Sequence, residues 1–344
     1  MIEAIGLVKE YGDYVAVDHL NFTVEKGQIL GFLGPNGAGK STTMNMLTGY
    51  ISATEGTILV NGYDMLEEPE LAKKSIGYLP EQPPVYPDMT VTEYLQFVTE
   101  LKKVPRKNRE AEVERVIEAT KLDEMRGRLI QHLSKGYRQR VGIAQALVGN
   151  PEVIILDEPT VGLDPKQIIE IRDLMKTLAK EHTVLLSSHI MQEISAVCDH
   201  IMIISHGKLV LSGTPEELQR KANQGVNIEL EVLGTKEQVT EIVNHVVSGA
   251  EVEELPCELE NSYAVCIRGT KDFREALFAA FADAKLPIVK MVRNTKTLED
   301  IFLEATAEDF AAEETKESEE EVSAAETAQP EEKKETEEKE AAAE

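Results

Sequence analysis

The chain contains no tryptophan and is short of aromatic and basic residues. Aromatic residues account for 5% of its 344 positions, and 36 Lys and Arg stand against 62 Asp and Glu, which gives a net charge of −26. Residues 308–344 carry −12 of this charge and leave −14 on the rest. A body this acidic is disfavoured as a general binder of nucleic-acid phosphates, although one local basic patch is not excluded.

Cysteine is also scarce, and its spacing does not match the usual metal-binding patterns. Cys198, Cys257 and Cys266 are an odd number without short paired intervals. Cys198 falls within a helical apolar pattern, which predicts a buried free thiol. A disulfide between Cys257 and Cys266 stays open as an alternative.

Long apolar runs are missing as well. No stretch approaches about 18 uninterrupted apolar residues, the length that a membrane-spanning helix needs. Met1–Ala4 is not a basic segment followed by an apolar run, as a secretory signal requires. The two observations predict a cytosolic protein that has no membrane span of its own.

Against these absences stands one strong phosphate-binding pattern. Residues 34–41 read GPNGAGKS, which fits G-x-x-x-x-G-K-[ST]. The apolar run Gln28–Leu33 precedes the pattern and the helical pattern Ser41–Leu47 follows it, so the loop has the strand–loop–helix context that its mechanism requires. Backbone N–H groups and the helix N-terminus favour phosphate oxygens. We therefore predict a nucleoside triphosphate site in which Lys40 reaches the β- and γ-phosphates and Ser41 coordinates Mg²⁺.

A pair of carboxylates follows a second apolar run. Val153–Leu156 reads as a buried strand and leads directly into Asp157 and Glu158. Adjacent residues on an extended chain point to opposite sides, so the two carboxylates can serve different purposes. We predict that Asp157 holds Mg²⁺ through water and that Glu158 polarises the attacking water as a general base.

The order of the patterns predicts an α/β fold, a P-loop NTPase with a mixed sheet. Short strands separated by turns in the first part of the chain indicate an antiparallel β-subdomain. Continuous apolar runs such as Thr183–Leu186 and Ile201–Ile204 indicate parallel strands that are covered on both faces. Residues 87–150 have helical spacing and indicate a helical insert. This ATP-binding domain is expected to occupy residues 1–220.

Two further regions follow that domain. Residues 226–306 have a βαββαβ order, which predicts a small α+β accessory domain that resembles a ferredoxin-like module. Its role stays open between regulation, dimerisation and capping of the core. Residues 307–344 are mainly Glu, Lys, Ala, Thr and Ser with the single aromatic residue Phe310, a composition that predicts a disordered acidic tail.

A third motif connects the chain to a known family. Leu133–Arg140 reads LSKGYRQR, and Ser134 is suited to cap the helix that follows. With the GPNGAGKS loop and with Leu156–Pro165, which reads LDEPTVGLDP, this segment resembles the ATP-binding subunits of ABC transporters. The resemblance covers residues 2 to about 218. Within the family, the chain is similar to gliding-motility-type and multidrug-type exporter ATPases.

The resemblance implies a role for each matching residue. The implied nucleotide-binding residues, of which the first stacks on adenine, are Tyr11, Gly34, Pro35, Asn36, Gly37, Ala38, Gly39, Lys40, Ser41 and Thr42. Gln82 is implied to contact Mg²⁺ and the attacking water, and His189 to touch the γ-phosphate. The catalytic set is then Glu158, His189 and Gln82, and the metal set is Ser41, Gln82 and Asp157.

The same resemblance implies contacts between two ATPase subunits. The signature residues Ser134, Lys135, Gly136 and Tyr137 are implied to bind ATP that a second copy holds, and Asp164 lies in the loop between the two sites. Lys135 and Tyr137 depart from the usual Gly and Gln of this motif, whereas Ser134 and Gly136 are retained. Activity is expected to survive these departures.

The implied function is an ATP-hydrolysing subunit of an exporter-like ABC transporter that uses ATP and Mg²⁺. Its expected partners are a polytopic membrane permease, docked on the helical insert and on Gln82–Thr90, and a second ATPase subunit in a homodimer or heterodimer. Through the permease it would lie on the cytoplasmic face of the membrane, and no nucleic acid is expected. One alternative is a soluble ABC-type ATPase acting on ribosomes or nucleic acid, which the single ATPase module and the net acidity disfavour. Another is a regulator that binds ATP without turnover, which the presence of Glu158, Gln82 and His189 disfavours.

Overall fold

The computed structural model describes residues 1–223, 225–247, 249–257, 259, 261–269 and 271–307. The predicted acidic tail therefore lies outside the described residues, except for Ala307. The chain divides into two compact units. One contains Met1–Ser212 and the residues from Phe302 onward, and the other contains Gly213–Ile301.

The first unit combines two β-sheets with helices. Its strands are β1 (Ile2–Tyr11), β2 (Tyr14–Val24), β3 (Ile29–Leu33), β4 (Glu55–Val60), β5 (Tyr63–Asp64), β6 (Ile76–Leu79), β7 (Val153–Leu156), β8 (Thr183–Ser188), β9 (His200–Ser205) and β10 (Lys208–Gly213). Its helices are α1 (Lys40–Leu47), α2 (Pro69–Lys74), α3 (Val91–Leu101), α4 (Arg109–Thr120), α5 (Lys135–Leu147), α6 (Pro165–Leu178) and α7 (Met191–Ser195).

The first sheet has the order β2-β1-β4-β5, and each neighbouring pair in it is antiparallel. Its strands alternate buried and exposed positions, as a sheet with one covered face does. Leu7, Leu20 and Val60 contribute to the same buried cluster as Phe32 and Met44. The predicted antiparallel β-subdomain is confirmed.

The second sheet has the order β10-β9-β3-β8-β7-β6 and contains the predicted parallel strands. β3 pairs in parallel with β8 and β9, and β7 pairs in parallel with β6 and β8. Every residue of β3, β7 and β8 is buried, which explains the apolar sequences of β3 and β7 and the apolar centre of β8 at 184–186. Because the strands run in parallel, the segments that follow β3, β6, β7 and β8 gather at one edge of the sheet, where ligands bind in open α/β folds.

Helices α3, α4 and α5 form much of the region that the sequence predicts as helical. Thr90 caps α3 in a reciprocal capping box with Glu93, which defines where this helix begins. Short 3-10 turns connect the helices at Arg106–Asn108, Asp123–Met125 and Ile130–His132. The three helices contact one another, and α5 also packs against β6 and β7. The helical region is thereby attached to the parallel sheet through α5.

The second unit contains the predicted βαββαβ sequence of elements. They are β11 (Val226–Leu233), α9 (Lys236–Val246), β12 (Glu251–Leu255), β13 (Ser262–Gly269), α10 (Arg274–Asp283) and β14 (Ile288–Asn294), flanked by α8 (Pro215–Ala222) and α11 (Leu298–Ala305). The sheet order is β12-β13-β11-β14 with antiparallel pairing. Leu277 and Phe281 of α10 and Val239 and Val243 of α9 are buried in one apolar cluster with strand residues.

Across the described parts of the chain, no helix combines the length and the apolar character needed to cross a bilayer.

The three cysteines differ in their access to solvent, and all three are free thiols. Cys198 is buried, as predicted, whereas Cys257 is exposed and Cys266 is intermediate. Burial raises the pKa of the Cys198 thiol, so that little reactive thiolate forms. The alternative of a Cys257–Cys266 disulfide is not found in the structure.

We therefore expect iodoacetamide at pH 8 to label Cys257 readily and Cys198 only after unfolding in guanidinium. Peptide mass spectrometry of the native and the unfolded chain measures both rates. Comparable labelling of Cys198 and Cys257 in the native protein would contradict the packing around α7, because Cys198 is 6% exposed.

Candidate nucleotide and catalytic site

The phosphate-binding loop joins β3 to α1 and has a conformation that its glycines permit. Gly39 is the N-cap of α1 with a φ of 102°, and a Cβ at this position would lie 2.5 Å from the Ala16 carbonyl oxygen. Only glycine adopts such a position without strain. Lys40 follows and is 6% exposed. Its ammonium group donates to the carbonyls of Gly34 and Pro35 at 2.8 and 3.0 Å, so it lies back across the loop.

The two acidic residues after β7 are almost completely buried. Asp157 is 3% exposed and Glu158 is 6% exposed. Glu158 Oε1 lies 3.5 Å from Lys40 Nζ, and Glu158 Oε2 lies 3.0 Å from His189 Nδ1. A buried carboxylate is costly unless it is paired, so these contacts stabilise Glu158 inside the protein. Lys40, Glu158 and His189 thus connect the start of α1 to the ends of β7 and β8.

A cavity of about 430 Å³ opens beside these three residues. Most of the predicted nucleotide-binding and catalytic residues line it, namely Tyr11, Asn36, Gly37, Gly39, Lys40, Ser41, Thr42, Glu158 and His189. Gly34, Pro35, Ala38 and Asp157 are not among the lining residues, but they belong to the same loop and strand end. The folded chain therefore brings the phosphate loop, Glu158 and His189, which are far apart in the sequence, to one cavity.

The cavity also has lining residues that the sequence analysis missed, including Tyr14 and Val161. Tyr14 pairs with Tyr11 across β1 and β2, and its hydroxyl donates to the Gly37 carbonyl at 3.5 Å. The signal was present in the sequence, because Gly12-Asp13 between two strand patterns is typical of a tight hairpin, whose flanking residues lie side by side.

Gln82 is not among the residues that line the cavity, and its contact with Mg²⁺ and the attacking water stays a prediction. Gln82 is exposed, and its neighbour Glu81 lines the cavity instead. The chain bends at Glu81 and Gln82 after the end of β6, so the two neighbouring side chains have different surroundings. The residue that this segment contributes to the cavity is a carboxylate and not the expected amide.

The signature segment lies outside this cavity. Ser134 is the N-cap of α5, as predicted, and its Oγ accepts a hydrogen bond from the Tyr137 N–H at 3.4 Å. Gly136 is buried beside α6, where an added Cβ would lie 2.6 Å from the Gln167 side chain. Ser134 and Lys135 are exposed. The start of α5 therefore presents its polar groups on a surface that is not part of the chain's own phosphate loop.

The loop that follows Glu158 contacts the signature segment within the same chain. The Lys135 ammonium lies over Gly162, so closely that a Cβ at Gly162 would overlap it. Asp164, at the end of this loop, is the N-cap of α6 and accepts a hydrogen bond from the Gln167 N–H at 2.9 Å. Asp164 is exposed, so it is both a helix cap and an accessible side chain.

A further buried carboxylate, Glu193 of α7, connects this loop to the turn after β8. The Thr160 hydroxyl donates to Glu193 Oε2, and the Ser188 hydroxyl lies 3.4 Å from the same oxygen. Ser188 Oγ in turn accepts a hydrogen bond from the Ile190 N–H at 3.1 Å. Glu193 is 7% exposed. The loop after Glu158 and the turn after β8 are thus held by one buried polar network.

A second cleft, with a volume of about 720 Å³, lies between the end of α1 and the helical region. Its lining residues are mainly apolar or aromatic with two lysines, and they are Asn45, Thr48, Gly49, Tyr50, Lys73, Ile76, Tyr78, Pro80, Pro84, Lys102 and Gln145. Tyr50 is 79% exposed at this cleft. An exposed aromatic residue beside an apolar cleft is typical of a surface that binds another protein.

Comparison with known proteins places this site in a family. Residues 17–161 match the family model described as ABC transporter. The bacitracin transport ATP-binding protein BcrA of Bacillus licheniformis is 41% identical over 226 residues, which cover 65% of this chain and 72% of BcrA. The uncharacterized ABC transporter ATP-binding protein YhcH of Bacillus subtilis is 33% identical over 310 residues, which cover 90% of this chain and 96% of YhcH. The second similarity extends beyond the ATP-binding region into the second unit.

Some relatives are much longer than this chain. ABC transporter A family member 1 of Dictyostelium discoideum is 35% identical over 231 residues, and this chain spans 26% of its length. Among solved structures, the dimeric structure of MJ0796, a bacterial ABC transporter cassette, matches with a TM-score of 0.56 and 27% identity, over 62% of this chain and 98% of that one. With its phosphate loop, paired carboxylates and signature helix, the chain belongs to the ATP-binding subunits of ABC transporters, a family of P-loop ATPases.

Proposed function

We propose that this chain is the ATP-hydrolysing subunit of an exporter and that it works in a head-to-tail pair of ATPase subunits. The proposal rests on the separation, within one chain, of the cavity residues from the signature segment. Lys40, Glu158 and His189 share one cavity, whereas Ser134 lies outside it. A γ-phosphate bound at Lys40 is then contacted from one side only, and the α5 N-terminus of a second subunit is suited to contact the other side. The bacitracin transport named for BcrA supports a role in transport.

The adenine base and the phosphates would bind at different parts of the cavity. Tyr11, 50% exposed, offers an aromatic face to the base, and Tyr14 lies beside it. The phosphates would bind to the loop N–H groups and to Lys40, with Ser41 and Thr42 at the start of α1. Lys40 is held by two carbonyls and Glu158, so phosphate oxygens would compete with these partners for its ammonium group.

Glu158 would be the general base and His189 its partner at the γ-phosphate. When the triphosphate draws the Lys40 ammonium toward itself, Glu158 Oε1 becomes available to accept a hydrogen bond from water. His189 contacts Glu158 through Nδ1, and with an N–H on both ring nitrogens its Nε2 would donate to a γ-phosphate oxygen. A positioned base of this kind contributes about 10²–10⁴-fold to the rate.

The oxygen donors at the site fit Mg²⁺. They are the Ser41 hydroxyl and the carboxylates of Asp157 and Glu81, and Mg²⁺ is usually bound by one or two carboxylates together with substrate phosphates. Within the described residues, no group of three or more His, Cys, Asp or Glu side chains is arranged to hold a metal ion, which agrees with a site that the nucleotide completes. When bound, Mg²⁺ neutralises charge on the phosphates. We assign Glu81, in place of Gln82, to this side of the cavity.

The pairing of subunits would bring Ser134, Lys135, Gly136 and Tyr137 to the partner's ATP, with Asp164 between the two sites. The dimeric structure of the MJ0796 cassette supports the pairing of two subunits. Lys135 replaces a residue without charge and adds a positive group beside the incoming γ-phosphate. After hydrolysis these contacts are lost and the pair opens, so the nucleotide biases a two-state interface.

The permease would dock at the second cleft. The lining of that cleft is mainly apolar, and the two lysines that border it, Lys73 and Lys102, favour a partner segment with an acidic group. Docking there would hold the chain on the cytoplasmic face of the membrane.

We propose residues 1–220 as the ATP-binding domain with an insert at 87–150, residues 226–306 as an accessory domain that modulates the pair, and residues 307–344 as an acidic tail.

A photo-crosslinking amino acid in place of Tyr50, in the full chain in living cells, tests the transporter function directly. Because Tyr50 is exposed at the cleft, we expect the crosslinked product to contain an integral membrane protein. Mass spectrometry of the product identifies the partner. The same substitution at Lys176, an exposed residue of α6 outside the cleft, is the control and should give little of that product. Crosslinks to ribosomal proteins or RNA at position 50 would instead favour the soluble ATPase and would overturn the permease assignment.

A further inference from the structure

Ser187 lies inside the protein between the two acidic residues of the site. It is the second-last residue of β8, is 0% exposed, and makes contact with both of them. Its hydroxyl donates to Asp157 Oδ1 at 2.5 Å, and its oxygen accepts a hydrogen bond from the Glu158 N–H at 2.9 Å. One buried hydroxyl therefore connects a side chain of the proposed metal site to the backbone of the proposed general base.

The backbone at Glu158 is unusual and requires support. Its φ is 47°, in the left-handed region that non-glycine residues rarely adopt. Strained backbone of this kind costs about 1–3 kcal/mol and persists where the surroundings hold it in place. At Glu158 the holding contacts include the N–H bond to Ser187 and the bond from the Val161 N–H to the Glu158 carbonyl at 3.3 Å.

The left-handed turn has a consequence for the direction of the two side chains. The chain leaves β7 in an extended conformation and reverses at Glu158, and the Glu158 carboxylate reaches Lys40 and His189. The Asp157 carboxylate stays against β8, where Ser187 donates to it. The different roles proposed for the two carboxylates thus depend on one backbone conformation. Ser187 supports this conformation by bonding to the Asp157 side chain and to the Glu158 N–H.

We propose that Ser187 is a positioning residue of ATP hydrolysis, which aims the Glu158 carboxylate and orients the Asp157 carboxylate toward the metal site. This inference rests on the roles proposed above for Asp157 and Glu158. A serine hydroxyl suits the position because it donates and accepts at once. Alanine leaves a buried N–H and a buried carboxylate oxygen each without this partner, an arrangement that proteins avoid.

The matched control is Thr183, the first residue of the same strand. It is 1% exposed, and its hydroxyl accepts a hydrogen bond from the Gly27 N–H at 3.1 Å. It does not line the nucleotide cavity. Thr183→Val therefore removes a buried hydroxyl from the same strand at a distance from the chemistry. Thr183→Val should therefore lower the stability of the fold, as the loss of any buried hydroxyl does, without disturbing Asp157 or Glu158.

The test compares wild type, Ser187→Ala, Ser187→Cys, Ser187→Thr and Thr183→Val in the full chain. We expect kcat for MgATP to fall about 100-fold in the Ala and Cys variants, the cost typical of a misplaced catalytic group. The KM for ATP should stay within about threefold, because the phosphate loop is unaltered. Ser187→Thr keeps the hydroxyl and should recover most of kcat, and Thr183→Val should keep the wild-type kcat even where its melting temperature falls.

The Mg²⁺ dependence of ATP binding is a second test that does not rely on the hydrolysis rate. A fluorescent ATP analogue is titrated with EDTA present and then with increasing Mg²⁺. We expect Ser187→Ala to match wild type without Mg²⁺ and to need more Mg²⁺ than wild type to reach its highest affinity. Ser187→Cys covers the case in which Ser187→Ala does not fold, because a thiol fills the site and is a weak hydrogen-bond partner.

The possible results distinguish the positioning role of Ser187 from the proposed ATPase function. An active wild type with unchanged kcat and Mg²⁺ dependence in both Ser187→Ala and Ser187→Cys would overturn the inference and leave the proposed function standing. A fall in kcat that Thr183→Val reproduces, or that Ser187→Thr does not relieve, would also overturn it. A wild type without ATPase activity would overturn the proposed function and this inference together.

Discussion

Glu158→Gln is expected to lower the rate of ATP hydrolysis by about 10²–10⁴-fold while ATP still binds. Gln keeps the size and much of the hydrogen bonding of Glu, but it cannot accept a proton from water. The loop and Lys40 still hold the phosphates, so the ATP-loaded pair of subunits should accumulate. Phosphate release measures the rate, and analytical ultracentrifugation with millimolar ATP measures the dimer.

The control for this substitution is Glu181→Gln, which removes the same charge from an exposed position between α6 and β8. It should hydrolyse ATP at the wild-type rate and remain mostly monomeric with ATP. A Glu158→Gln chain that stays monomeric at millimolar ATP would contradict the head-to-tail pair. A Glu158→Gln chain that hydrolyses ATP at the wild-type rate would remove Glu158 from the role of general base.

Lys40→Met is expected to weaken ATP binding by about 10–100-fold. A hydrogen bond to a charged group is worth about 1.5–3 kcal/mol, and the ammonium group is the loop's charged donor to the phosphates. The substitution also removes the cation 3.5 Å from Glu158 Oε1, and the contact of Glu158 Oε2 with His189 Nδ1 at 3.0 Å stays. Titration with a fluorescent ATP analogue measures the affinity.

Lys180→Met is the matched control, because it removes a lysine charge from an exposed position at the end of α6. Its ATP affinity should equal that of wild type. Melting curves of Lys40→Met without nucleotide show whether the lost ion pair alone destabilises the chain. Unchanged ATP affinity in a folded Lys40→Met protein would contradict the proposed position of the phosphates.

The sequence was sufficient to predict those elements whose conformation depends on residues close together in the chain. The phosphate loop was predicted from its spacing of glycines and from its flanks, because a strand followed by a helix start leaves few conformations for such a loop. Ser134 was predicted as a helix cap for the same reason, since its contact with Tyr137 lies within one turn. The buried parallel strands were predicted from continuous apolar runs.

Sequence reasoning could not show which side chains line the cavity. Gln82 and Glu81 are neighbours in the chain, and only the path of the backbone after β6 shows that Glu81 lines the cavity. Tyr14 was missed although the hairpin signal Gly12-Asp13 predicts that it lies beside Tyr11. Ser187 carries no motif, and its importance appears only when β7 and β8 lie side by side.

The sequence by itself specified a nucleotide-binding loop, the N-cap of the signature helix and the apolar runs that form the parallel strands. Each of these features depends on interactions between residues close in the chain, so spacing alone specifies them. The tertiary structure decided which carboxylate reaches Lys40 and His189, which residue of the segment after β6 enters the cavity, and that the signature helix lies outside it. Those features depend on parallel strand pairing and on the left-handed turn at Glu158, and residues far apart in sequence impose both.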